Sequence, residues 1–156
     1  DVCSSDLGSI TFHGPGQLVL YPIVRLTSHA RGVRDYVARL EEAAIRTLHR
    51  FGIQGSRKSK APGVWVSCPH EAKVASLGIR VEHGVTMHGL ALNVDMDLRP
   101  FDAIVPCGLT GCRVTSMAEV LGHPISVSTV RQTLLEQLRT VFPFDYEEGH
   151  RFSESV

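Results

Sequence analysis

Between Gly63 and Val94 the chain alternates apolar runs with turn residues, and this punctuation constrains the fold more than any other feature. Gly63 to Ser67, Lys73 to Val81 and Val85 to Val94 each have the length and composition of a strand. Glu82-His83-Gly84 joins the last two so tightly that they are expected to fold back as a hairpin.

The flanks supply further strands and the helices. Ser9 to Phe12 reads as a short strand ending in the turn His13-Gly14-Pro15-Gly16. Gln17 to Leu26 reads as a second, with Pro22 marking an edge or a bulge. From Val33 to Phe51, Val33, Val37, Leu40, Ala44, Ile45, Leu48 and Phe51 recur at three- and four-residue steps, which predicts a helix stopped by Gly52. Residues 54–62 read as a polar loop, and Phe101 to Val105 as another short strand. Thr115, with Glu119 in support, is the expected cap of a short helix through Leu121. Ser126 or Ser128 is expected to cap a last amphipathic helix to Val141, with Pro143 beyond it. Strands from distant parts of the chain with helices beside them predict an α+β fold with mixed or antiparallel sheets.

Composition narrows the function classes. The chain has 156 residues, 43% apolar and 21% charged, enough for one domain with a real core. Zero net charge gives no reason to expect nucleic acid or an anionic membrane as a partner. No apolar run approaches the roughly 20 residues that span a bilayer. The N-terminal residues lack the basic and apolar segments of a signal peptide, so a cytoplasmic location is expected. The missing initiator Met predicts a fragment. Cys3, Cys68, Cys107 and Cys112 form no CxxC pair, and free thiols in a reducing compartment are expected. Eight histidines include no HExxH or paired Cys/His spacing, so no metal and no cofactor is expected.

Two residues carry reactive chemistry in unexpected places. Only three of the sixteen basic residues are lysines, and two of those, Lys58 and Lys60, fall in the polar 54–62 cluster. The third, Lys73, opens the apolar run Lys73-Val74-Ala75-Ser76-Leu77-Gly78-Ile79. A lysine exchanges protons or stabilises a thiolate, whereas arginine does not exchange protons near neutral pH. Cys107, in Pro106-Cys107-Gly108, would be presented at the end of a strand. Cys112, next to Arg113, competes with it for a nucleophile's role. His13-Gly14-Pro15-Gly16-Gln17 is a rigid turn that lets backbone approach closely, and Gly89 interrupts the strand after His88. Each feature alone has an ordinary structural explanation.

Taken together, His-Gly-Pro-Gly-Gln, then the Lys73 run with Arg80 and Val81, then Val85-Thr86-Met87-His88-Gly89-Leu90-Ala91-Leu92-Asn93-Val94, then Pro-Cys-Gly resemble the lipoyl(octanoyl) transferase family. The 34-residue step from Lys73 to Cys107 agrees, as do Val33 to Glu41 and Pro62-Gly63-Val64-Trp65-Val66. The resemblance extends from Ser9 to Thr140. It implies an α+β fold related to the biotin and lipoate protein ligases. It also implies transfer of an octanoyl group from octanoyl-acyl carrier protein to a lysine of lipoyl domains. The acceptors would be 2-oxo acid dehydrogenases and the glycine-cleavage H protein, and the enzyme a monomer. By the same resemblance Cys107 is the nucleophile that takes the acyl group as a thioester, and Lys73 is the residue that activates its thiol. Ser76, Leu77 and Gly78, with Gly89, Leu90 and Ala91, match the lining of the acyl pocket, and His88 has a supporting role. The first substrate-binding segment corresponds to Asp6, Leu7, Gly8, Ser9, Ile10, Thr11, Phe12 and His13.

That segment departs from the family. Arg-Gly-Gly is expected where this chain has Asp6-Leu7-Gly8, which reverses a charge. Residues 1–7 are therefore expected to be a junction foreign to the family, 8–142 the catalytic domain without its N-terminal part, and 143–156 a tail. Two rival readings stay open. A lipoate–protein ligase would need a nucleotide site and no cysteine, and an inactive acyl- or protein-binding fragment would need neither.

Overall fold

The computed structural model describes residues 12–26, 30, 32–59, 61–67, 70–103 and 113–142. Among these residues, five strands form one antiparallel sheet in the order β1-β5-β4-β3-β2. They are β1 (Gln17–Leu20), β2 (Gly55–Lys58), β3 (Ala61–Ser67), β4 (Glu71–Glu82) and β5 (Val85–Asn93). The hairpin at 82–85 is as expected, with Glu82 opposite Val85 and an unbroken register back to Ala75 opposite Leu92. The described residues include the α-helices α1 (Val33–Arg50), between β1 and β2, and α2 (Met117–Leu121) and α3 (Val127–Val141), after β5. The α+β expectation holds, with the helices flanking a sheet whose strand pairs are all antiparallel.

One face of the sheet carries the core. Leu40, Ala44 and Leu48 of α1 and Val130, Leu134 and Leu138 of α3 join Val64, Ala75, Leu90 and Leu92 in a single buried cluster. Side chains alternate between the faces of a strand, so the residues between these point away from the helices. Trp65, Ala72, Ala91 and Phe101 are buried as well, yet none belongs to the helix-side cluster.

Several elements differ from the sequence reading, each for a local reason. The second strand ends at Leu20, because Pro22 lacks an N–H for the ladder, and an isolated bridge from Arg25 to Val85 follows among the described residues. Of residues 54–62, the described ones are mostly strand rather than loop, Gly55–Lys58 forming β2 and Ala61 opening β3. The charged residues Arg57 and Lys58 decorate the edge strand β2, which suits an unpaired edge. Arg57 pairs with Glu41 and Glu42 of α1, and Lys58 pairs with Glu71. Arg99–Ala103 is a 3-10 helix where a strand was expected from Phe101, and 104–105 lie outside the described residues. Ser116, rather than Thr115, caps α2 by accepting the Glu119 N–H, while the Thr115 hydroxyl donates to the Glu119 carboxylate at 2.6 Å. Ser126 caps α3. Most of the expected Ser9–Phe12 strand, and the flanking pieces 1–7 and 143–156, fall outside the described residues.

Tyr36 ties α1 to the segment after β1. Its fully buried ring carries a hydroxyl that donates to the Pro22 carbonyl at 3.1 Å. Burial raises its pKa above 10.0, opposed by the hydrogen bond with Thr86. A phenol raised in the folded state stabilises the fold below its unfolded value, and that contribution is lost as pH climbs through the folded one. Tyr36→Phe is expected to cost about 1 kcal/mol at neutral pH. Chemical denaturation above pH 10 should show the parent losing stability relative to the variant.

Candidate active site

Lys73 lies where β4 runs past the end of β5. Its N–H donates to the Arg113 carbonyl at 2.8 Å, and its own carbonyl accepts the Thr115 N–H at 3.0 Å. Residues 113–115 thus lie parallel to β4, forming a bridge between Lys73 and Val114. The Lys73 side chain is only 3% exposed. Its Nζ sits 5.1 Å from the centre of the Trp65 ring, and Trp65 is its cross-strand neighbour. Lys58 approaches the same ring at 3.9 Å. The Trp65 indole N–H donates to the Ala61 carbonyl at 3.1 Å, which fixes the ring the two cations share. No carboxylate among the described residues forms an ion pair with Lys73.

A chain of polar contacts connects this point to the glycine-rich turn. The His13 ring nitrogen lies 2.7 Å from Gln17 Oε1, and Gln17 Nε2 donates to Asn93 Oδ1 at 2.9 Å. Buried Asn93 then donates to the Thr115 carbonyl at 3.0 Å. The turn is held from below as well, because the Gly16 carbonyl accepts the N–H groups of Val94 and Asp95. Replacing Asn93 with leucine would leave the Thr115 carbonyl and Gln17 amide without their buried partner, at a cost of about 2–3 kcal/mol. A urea titration of Asn93→Leu against the parent measures that loss.

The two segments proposed to line the acyl pocket lie directly across from each other. Ser76 pairs with Ala91, Leu77 with Leu90, and Gly78 with Gly89. Leu77 and Leu90 face the helices, Leu90 within the core cluster and Leu77 packed against it. Ser76 and Ala91 therefore point to the other face, where Gly78 has open space above its Cα. Gly89 is buried against the Leu20 carbonyl and Pro22, so another backbone is what comes close at this glycine. Phe12 packs edge-on against Phe101 at 5.7 Å. His88 stands opposite Ile79, six positions along β4 from Lys73 and thus about 20 Å away. It is exposed, has φ 61, and meets the Tyr21 ring edge-on. Asp6, Leu7, Gly8, Ser9, Ile10, Thr11 and Cys107 lie outside the described residues, as do Cys3, Cys68 and Cys112.

Sequence reasoning passed over Asn93, Trp65 and Glu41. Glu41 sits inside the apolar stripe of α1, three and four residues from Ala44 and Val37, and a carboxylate in such a stripe signals a buried partner. Beside the Lys73 bridge, a cleft of about 360 Å³ opens between the start of β4 and α2, lined by His70, Ala72, Thr115 and Glu119 among others. No helix among the described residues is long and apolar enough to cross a membrane.

Comparison with known proteins places this arrangement among relatives. The sequence model of the Lipoyl protein ligase A/B catalytic domain matches residues 8–139. The octanoyltransferase of Xylella fastidiosa is 50% identical over 137 residues, covering 88% of this chain and 58% of that protein. The octanoyltransferase of Bacteroides thetaiotaomicron is 49% identical over 129 residues, covering 81% and 57%. The chain thus spans somewhat more than half the length of these curated relatives. Among solved structures, the bi-partite lipoate protein ligase of Thermoplasma acidophilum superposes with a TM-score of 0.68 at 17% identity, covering 88% of this chain and 55% of that one. The biotin protein ligase of Aquifex aeolicus gives 0.63 at 16% identity, covering 81% and 52%. At such identities the likeness is one of fold.

Proposed function

The chain belongs to the lipoyl protein ligase A/B catalytic domain family, and from that premise we propose that it carries the catalytic centre of an octanoyltransferase. The observation that carries this reading is the buried Lys73, whose main chain is bonded to residues 113–115 just downstream of Cys107. Relatives at about half identity bear the octanoyltransferase name.

In this reading Cys107 Sγ attacks the thioester carbonyl of octanoyl-acyl carrier protein, and the carrier's thiol leaves with a proton. The acyl group is then a thioester on Cys107. The amine of a lysine on a lipoyl domain attacks that carbonyl, an amide forms, and the cysteine sulfur is released. The Lys73 ammonium stabilises the attacking thiolate and gives its proton to the departing carrier sulfur, so that as a neutral amine it takes the proton of the incoming amine in the second step. One thioester replaces another in the first half, and the amide is lower in energy than either, so ATP is not needed. A fatty chain would lie along the face that carries Ser76, Gly78 and Ala91. There each buried methylene contributes roughly 0.8 kcal/mol. Lipoyl domains of 2-oxo acid dehydrogenases and the glycine-cleavage H protein are the acceptors, in the cytoplasm, with a monomeric enzyme.

The test is to mix the protein with octanoyl-acyl carrier protein and a lipoyl domain in ATP-free buffer. Mass analysis should find the domain heavier by one octanoyl group on its lysine. Transfer from free octanoate that appears only with ATP would establish the ligase reading instead.

A further inference from the structure

We propose that Glu41 is a positioning residue for Lys73, acting through the backbone of Gly63; this rests on Lys73 having the role given above. Glu41 is 7% exposed on the sheet-facing side of α1. One carboxylate oxygen accepts the Gly63 N–H at 3.0 Å, and the other lies 3.3 Å from Arg57 Nε. A buried carboxylate costs folding energy unless it is fully partnered, and this one is partnered by one backbone amide of the sheet and by the Arg57 guanidinium.

The position it fixes is the one that shapes the lysine's surroundings. Gly63 has φ 133, a conformation that residues with a side chain rarely adopt. A Cβ there would lie 2.8 Å from Lys73 Cε, 3.3 Å from Nζ and 2.6 Å from the Ala75 carbonyl. The missing side chain is thus the space that the end of Lys73 occupies, with the centre of the Trp65 ring 5.1 Å from Nζ. Glu41 holds Gly63, Gly63 leaves the slot, and the slot and Trp65 together aim the ammonium. A misplacement of about 1 Å at a reacting group costs up to roughly 100-fold in rate, so such an arrangement has catalytic weight without touching substrate.

Two size-conservative variants separate the hydrogen bond from the charge. Glu41→Asp keeps the charge facing Arg57 but withdraws the oxygen from Gly63. Glu41→Gln keeps an acceptor for Gly63 and loses the charge. With only three lysines in the chain, ¹⁵N-lysine labelling makes the Lys73 Nζ signal assignable by comparison with Lys73→Met. In Glu41→Asp that signal should move, and kcat should fall about tenfold or more at unchanged KM for the acyl donor. In Glu41→Gln the signal should stay at the parent position and kcat within a few-fold of the parent. An unmoved signal in Glu41→Asp, or equal displacement in both variants, overturns the proposal. Should Lys73→Met transfer as fast as the parent, the catalytic reading of Lys73 fails. The NMR comparison still decides whether Glu41 positions it.

Discussion

Lys73→Met is expected to lower the rate of octanoyl transfer by about 10²- to 10⁴-fold, the usual weight of a positioned proton-transfer group, while leaving the fold intact. Methionine has the reach of the lysine stem and no branch, so it fits the slot beside Gly63 and the Trp65 ring. The substitution also removes a buried charge that forms no ion pair with any carboxylate among the described residues, so thermal stability should not drop. Both half-reactions are expected to slow, the first because the thiolate loses its cation and the second because the acceptor amine loses its base. Single-turnover measurements of each half-reaction, with a melting curve alongside, check this. A variant that melts like the parent and transfers within threefold of it removes Lys73 from the mechanism.

Gly16→Ala is expected to be the most destabilising small substitution, on the order of 3–5 kcal/mol. Two costs add there. The residue has φ 84, where a side chain costs about 1–3 kcal/mol. In addition the new Cβ would fall well inside contact distance of the Asp95 carbonyl, a backbone atom with little freedom to move. Asp95 cannot retreat cheaply, because its N–H and that of Val94 both donate to the Gly16 carbonyl. Any shift of the turn also disturbs Gln17, and through it Asn93 and Thr115 next to Lys73. Stability by urea titration should therefore fall together with activity. A Gly16→Ala protein within 1 kcal/mol of the parent would mean that the turn yields far more easily than its contacts imply.

How much of this was legible in sequence depends on which force fixes each element. The hairpin at Glu82-His83-Gly84 and the helix from Val33 are set by local turn chemistry and apolar period, and both are where the sequence puts them. β2 is an edge strand whose Arg57 and Lys58 find partners on α1 and on β4, so its polar composition resembles a loop until those partners are known. Thr115 and Ser116 are both capping types, serine the better of the two. The bridge from Lys73 to Val114 takes up the backbone at Thr115 and leaves the capping to Ser116. At the site, the pairing of Ser76-Leu77-Gly78 with Gly89-Leu90-Ala91 follows from the register of the hairpin. The contacts of Glu41 with Gly63 and of Asn93 with Thr115 span 22 residues each and have no local signature beyond a polar residue in an apolar run.

The central claim is a covalent octanoyl group on Cys107. Intact-mass analysis of the protein after incubation with octanoyl-acyl carrier protein, without ATP or acceptor, measures it directly. The expected result is one added octanoyl group on the parent, mapped to Cys107, absent from Cys107→Ala, and lost when a lipoyl domain is added. An unmodified parent, or an adduct that persists in Cys107→Ala, contradicts the account.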